Sequence, residues 1–384
     1  MEENNLRKRR KRIRGKRFWT VFTITSVVLI GVLFAGVYIF KNTTYNHIEV
    51  VTNYGNESTH GGSYIEYAGG VLEYSRDGIA MLNKRGEELW NQPCQMDNPI
   101  ADVCKEAVAV ADQGGTSIYV FHKEGLKGEI QTTRPIERVS VSAQGIVAAI
   151  LQEEENPRVM CYDAKGNILV EHKTSFANTG YPIAIDLTQD GKMLLVSYLC
   201  AQGNGVVSRV AYYDFDESKS EKDDKLVAQK EYKDTIIPTV YFVSKNKSLF
   251  VTDKSLILYE GLEEPKEKAV IKVNREIQSV DYNEKYIALV TKNSKGTGYE
   301  LSLYRTDGKQ LMHVPIEAEY TKMKVSGKQV LLYDESKCAI YNADGICKFQ
   351  GALEMQVLDM FAISGANKYM VISAGGFQEI QLAK

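Results

Sequence analysis

Any chemistry in this chain would have to come from carboxylates, histidines or cysteines, and their spacing decides which chemistry is open. The 384 residues include 49 Asp and Glu, five histidines and six cysteines. His47, His60, His122, His172 and His313 are widely separated, and none stands in an H-E-x-x-H motif. A zinc site built from local sequence needs a close pair of ligands on one face, so no such site is indicated. Cys94, Cys104, Cys161, Cys200, Cys338 and Cys347 contain no C-x-x-C, so neither a zinc knuckle nor a thioredoxin-type centre is expected. Cys338 and Cys347 flank one expected hairpin turn, and Cys94 and Cys104 flank one junction between repeats. Each pair is a candidate disulfide if the domain lies in an oxidising compartment. Cys161 and Cys200 sit in apolar strands and read as core thiols.

The acidic run DFDESKSEKDD (214–224) invites a calcium reading. Asp214 and Asp216 fit alternate ligand positions, but Lys219 stands where the loop needs glycine, so a solvated loop is expected. Gly203-Asn204-Gly205 and Gly296-Thr297-Gly298 lack the third glycine and following helix of a nucleotide site. No P-loop lysine and no G-x-S-x-G elbow is present. A pair of carboxylates could run glycosidase chemistry, but nothing in the linear order singles one out. Asn42-Thr43-Thr44 and Asn56-Glu57-Ser58 match the short glycan-acceptor pattern. No catalytic residue, metal ligand or cofactor is expected from these patterns.

Charge is distributed unevenly. Arg7, Lys8, Arg9, Arg10, Lys11, Arg12, Arg14, Lys16 and Arg17 oppose only Glu2 and Glu3, a surplus of seven in residues 1–17. The net charge is −2, so the rest of the chain carries −9. Residues 18–40, FWTVFTITSVVLIGVLFAGVYIF, contain no charge. A stretch of about 20 apolar residues is long enough to cross a hydrocarbon core as a helix. Phe18 and Phe40 bound it, and Trp19 and Tyr38 sit where amphipathic rings meet the headgroups. Gly31 and Ala35 form a small-xxx-small pair of the kind that can seat a second helix. The run is too long for a signal-peptide core and offers a poor cleavage site. Basic residues stay on the cytoplasmic side, which makes 1–17 a cytoplasmic tail, 18–40 a membrane span and 41–384 extracytoplasmic. The tail is a topology and lipid signal; no nucleic-acid-binding fold accompanies it.

Beyond the span, a hairpin recurs: LNKRGEEL (82–89), YDAKGNIL (162–169), YRTDGKQL (304–311) and YNADGICKF (341–349), with FHKEGLKGEI (121–130) as a looser copy. The turn glycines Gly86, Gly125, Gly166, Gly308 and Gly345 are 39, 41, 142 and 37 residues apart. Glycine supplies the positive φ that a short bulged turn needs. Before each hairpin comes a β-branched, apolar strand such as EAVAVADQGG (106–115), and before that an alternating one such as IERVSVS (136–142), YPIAIDLT (181–188) or IQSVDYN (277–283). The 23 tyrosines and 10% aromatic content suit strands. A four-stranded unit of about 40 residues cannot bury both of its faces alone, and a ring of such blades is the usual solution. The fold class is therefore all-β, a propeller over 64–384 behind one helix, with eight blades counted and seven the alternative. The last unit has room for three strands. Residues 44–52, within the 41–63 linker, fit the missing outer strand.

GGTSIYVF (114–121), GYPIAIDLTQDGKMLLVSYL (180–199) and VAYYDFDE (210–217), behind a basic tail and one span, resemble a family of bacterial membrane-anchored propeller proteins known only as a domain of unknown function. The resemblance implies an extracytoplasmic propeller on a bacterial cell membrane and carries no functional residues. GEELW (86–90) resembles one quinoprotein repeat, but the other copies lack the tryptophan, which argues against quinone binding. WD dipeptides are absent, unlike the eukaryotic WD-repeat type. The expected function is a binding or scaffolding module, its partners the lipid bilayer and a protein or cell-envelope polymer. A transmembrane sensor working through a partner and a glycan-active enzyme are the alternatives.

Overall fold

The computed structural model describes residues 2–384 except 56–61, 154–156, 176–177, 203–204, 216–224 and 294–297, and no side chains at 2–18, 20, 21 or 40. His60, the Asn56 acceptor triplet, Gly203, Asn204, Gly296, Thr297 and most of 214–224 lie outside the described residues. So do the side chains of Phe18, Phe40 and the nine basic tail residues.

Strands in this chain cannot stand alone, because the middle ones are apolar on both faces. In Ala107–Asp112 and Ser117–His122 nearly every side chain is buried. Outer strands such as Ile168–Lys173 alternate exposed and half-buried positions. Such a sheet is stable only between two others. Eight four-stranded antiparallel sheets result. Blades 1 to 7 span residues 63–93, 99–131, 136–173, 181–233, 239–272, 277–316 and 322–352, each running from an inner to an outer strand. Blade 8 takes Val357–Ala362, Lys368–Ser373 and Gly376–Ala383 from the end of the chain and His47–Asn53 from near its start. His47 pairs with Ala383 and Val50 with Ile380, with a bulge before Thr52.

The core is distributed over the seams between blades. Ala109, Val120, Val147 and Ala149 fill the seam of blades 2 and 3. Val71, Leu82, Phe361, Met370 and Phe377 fill the seam of blades 8 and 1. Three of the repeated hairpin turns are built alike. Asn83, Asp163 and Asn342 accept the N–H two residues on, at 2.7, 2.9 and 3.1 Å, and Gly86, Gly166 and Gly345 close the turns at φ 77°, 86° and 85°. The side-chain acceptor and the left-handed glycine together fix a bulged turn.

Helix α1 (Glu2–Asn42) runs unbroken through both the basic tail and the apolar segment. Its stretch Phe22–Ile39 has mean hydropathy 2.3 and is not buried, so it is long and apolar enough to cross a membrane. Trp19 and Tyr38 are exposed at its two ends, and a Cβ at Gly31 would meet open space. Each blade turns from first to second strand, and from third to fourth, at one face of the ring, here named the turn face. Blade-to-blade connections lie at the other, the loop face.

Candidate functional site

The inner strands surround the axis, and the even-numbered blades share a signature there. Asp102, Asp186, Asp281 and Asp359 each stand between apolar residues, in ADV, IDL, VDY and LDM, spaced 84, 95 and 78 residues apart. Three of them reach the inner strand of the next blade. Asp102 accepts the Val141 N–H at 2.7 Å, Asp186 that of Phe242 at 2.5 Å, and Asp281 that of Val325 at 2.5 Å. Serines on odd blades answer in the intervening seams. Ser140 Oγ accepts the Leu187 N–H at 3.1 Å and donates to Asp186 at 2.9 Å, and Ser326 accepts the Ala362 N–H at 3.2 Å. Asp359 differs, receiving the Lys324 ammonium at 2.8 Å on both oxygens and the Tyr333 hydroxyl.

Burial raises the pKa of Asp102 and Asp281. Asp186 is pushed up to about 7, first by burial and then by the negative charge of Asp102. Tyr241 and Tyr282 pack against each other nearby, their rings tilted at 43° with centroids 4.4 Å apart. Tyr241 is pushed up to about 12 by burial and by Asp186. A glycosidase pair needs one carboxylic acid free to protonate a leaving group and one carboxylate free to attack or activate water. Here Asp102, Asp186 and Asp281 are spent on backbone N–H groups of the neighbouring blade, and Asp359 on Lys324 and Tyr333. That arrangement ties blades together and does not present a reactive pair.

The turn-face mouth of the axis is crossed by side chains. Lys105 of blade 2 meets Glu284 of blade 6 at 2.5 Å, although these blades are opposite in an eight-membered ring, and Gln189 of blade 4 reaches Glu284 at 3.5 Å. The Lys105 ammonium holds Glu284 below the usual carboxylate range.

A second constellation lies at the seam of blades 5 and 6. Ser302 Oγ and His313 Nδ1 are 2.9 Å apart, His313 Nε2 is 3.2 Å from Glu300, and Arg275 pairs with Glu300. The order is that of a nucleophile, base and acid. Ser302, however, is only 5% exposed, and its residue pairs on both sides, with Leu289 and His313. A substrate carbonyl has no approach to Oγ, so the group acts as a polar link between strands.

The expected cysteine pairs are not brought together: all six cysteines are free thiols. Cys338 faces the seam with blade 8 and Cys347 the seam with blade 6, on opposite sides of one sheet. Cys94 and Cys104 belong to different seams, and burial pushes both thiols up to about 11. No group of three metal-ligating side chains occurs among the described residues.

The loop face carries one extended element. Met193–Gln202 and Gly205–Asp214 of blade 4 are ten residues each and pair out to Gln202 and Gly205. The hairpin runs beyond Tyr181, where its inner-strand partner begins. Arg209 steadies it, donating to Glu231 at 2.7 Å and to the Asn178 carbonyl at 2.8 Å. Val206 on the hairpin is 40% exposed and Ile236, in the next connection, 43%. Strand periodicity alone gave no sign of this reach, since a longer hairpin has the same alternation.

Among solved structures, BamB from Moraxella catarrhalis is similar in fold, with a TM-score of 0.52 at 11% identity over 88% of this chain and 98% of that one. Kluyveromyces lactis Hsv2 is similar at a TM-score of 0.50 and 7% identity, over 76% of this chain and 98% of that one. At such identities the likeness is one of fold. No curated protein matches the sequence. The profile of the family of unknown function DUF5711 covers residues 41–382, nearly the whole propeller and its leading linker, and the chain belongs to that family.

Proposed function

We propose that the protein is a membrane-anchored extracytoplasmic propeller that holds a protein partner on its loop face. The observation that carries this reading is the join between α1 and the ring. Lys41 pairs with Asp344 at 2.9 Å, Asn342 donates to the Lys41 carbonyl at 3.2 Å, and the Lys348 ammonium donates to the Thr43 carbonyl at 2.5 Å. Lys348 is only 3% exposed, and Asn342 and Asp344 belong to the turn face of blade 7. The apolar helix therefore leaves from the turn face, and the loop face with its blade 4 hairpin is turned away from the span. Exposed apolar side chains on the hairpin and the connection beside it suit a protein surface more than a polar polymer.

The test is crosslinking on intact host cells with the full chain, an anchor-only fragment (1–45) and a Val206→Glu/Ile236→Glu variant. A protein captured by the full chain and lost from both others is the expected result. Capture unchanged by the hairpin variant would sink the loop-face assignment, and enrichment of cell-wall glycan instead would name a polymer as the partner.

A further inference from the structure

The join of α1 to the propeller forms an open cleft of about 670 Å³, the size of small-molecule sites in general. Val37 and Lys41 of α1 form one wall, being one helical turn apart on the same face. Blades 6, 7 and 8 form the others through their turn-face residues. Val37 lies within the apolar stretch Phe22–Ile39, so the cavity opens where that stretch ends.

Its charge is opposite to that of the domain. The chain beyond residue 17 carries −9, yet the cavity is lined by Lys41, Arg305, Lys328, Lys348 and Lys368 against Asp344 alone. Some of this charge is answered. Lys41 meets Asp344, Arg305 meets Asp307, and Lys368 meets Glu379 at 2.6 Å. Lys348 serves the carbonyls that end the helix, as a cation at a helix C-terminus should. Once these partners are counted, Lys328 is the basic lining residue still unanswered among the described residues. Lys328 is exposed in the turn after Gly327 and makes no ion pair among the described residues. The same walls carry Leu311, Ile363 and Ala366, so basic and apolar groups share one pocket beside the span.

We propose that this cavity binds the headgroup of an anionic phospholipid from the leaflet around the outer end of α1. The phosphate lies by Lys328 and Arg305, and the first acyl methylenes lie along Val37 and Leu311. The proposal rests on the reading of α1 as a membrane anchor. It adds that the propeller, as well as the helix, contacts lipid at a defined place. The basic tail also attracts anionic lipid, but at the other end of α1.

The experiment places the full chain in phosphatidylcholine vesicles containing a phosphatidylglycerol or a phosphatidylcholine with a photoreactive group beside the phosphate. Adducts are mapped by peptide for wild type, Lys328→Glu and Arg305→Glu, each checked for native circular dichroism. Both side chains are exposed, so both variants should fold. Near a surface each basic residue contributes about fivefold in affinity for anionic lipid. Phosphatidylglycerol should therefore label 326–329 and 363–369 in preference to phosphatidylcholine, and each variant should lower that labelling at least about fivefold while labelling near the tail stays the same. Equal labelling by the two lipids, or labelling unchanged in both variants, overturns the proposal. Loss of the label to excess inorganic phosphate at constant ionic strength also overturns it, by naming a soluble anion as ligand. Release of the full chain by alkaline carbonate from the same vesicles is a different result and sinks the anchoring reading itself.

Discussion

Asp186 accepts three hydrogen bonds, from Phe242, Leu187 and Ser140, and is repelled by a neighbour of like charge. In the folded ring it keeps its proton up to about 7, whereas the unfolded chain releases that proton near about 4. Between those values the folded state binds more protons, so this group makes stability fall as pH rises and recover on acidification. Asp186→Asn retains an acceptor for Phe242 and cannot titrate. Thermal midpoints measured from about pH 5 to about pH 8 should show this fall in the wild type and a flatter profile in the variant; parallel profiles would refute the assignment. The axial aspartates were readable in part. An apolar-Asp-apolar triplet recurs every second blade, a period that a search for one-blade repeats passes over. The Ser302 constellation was not readable, because Ser302 and His313 meet only through the register of two strands. The candidate cysteine pairs flank a turn or a blade junction along the chain, whereas the sheet sends Cys338 and Cys347 to opposite faces.

Elements were the most legible level, since hairpin glycines and apolar runs are local signals. Their energetic weight differs from turn to turn. Gly308 has φ 87°, and a Cβ there would lie 2.6 Å from the Ala269 Cβ across the seam of blades 5 and 6. Gly327 has φ 59° and open space around it. A left-handed L-residue costs about 1–2 kcal/mol, and overpacking adds about 1–3 kcal/mol. Gly327→Ala should therefore lose about 1 kcal/mol and Gly308→Ala about 2 kcal/mol or more, read from urea unfolding midpoints. Equal losses would show that the Ala269 contact relaxes at no cost. Blade 4 was legible as a blade and, over 181–232, as the longest one, but the reach of its central hairpin was not, because extra alternating residues lengthen a hairpin without altering its pattern.

At the scale of the whole molecule, the blade count follows from the repeat length, and the short last unit pointed to a strand borrowed from elsewhere. What holds the ring shut is the ladder from His47–Asn53 to Gly376–Ala383, with Tyr45 and Ile48 packed on the core of blades 7 and 8. A chain of residues 43–384 should remain a cooperative monomer. One of residues 54–384 leaves Gly376–Ala383 as an open edge, and such edges recruit other chains. It should melt lower and self-associate on gel filtration; monomeric behaviour with an unchanged melt would show that the ring closes without the clasp. The clasp also sets a clock on synthesis. His47 leaves the ribosome 336 residues before its partner Ala383. At about 5–20 residues per second this is a wait of roughly 20–70 s. Throughout it Val71 and Leu82 of blade 1 have no Phe361 or Phe377 to cover them. If α1 is lodged in the bilayer by then, the waiting strand is held four residues from the helix end, beside the point where the rest of the chain emerges. The anchor would then keep the first-made strand within reach of the last-made one, so that closure depends less on a search through solution.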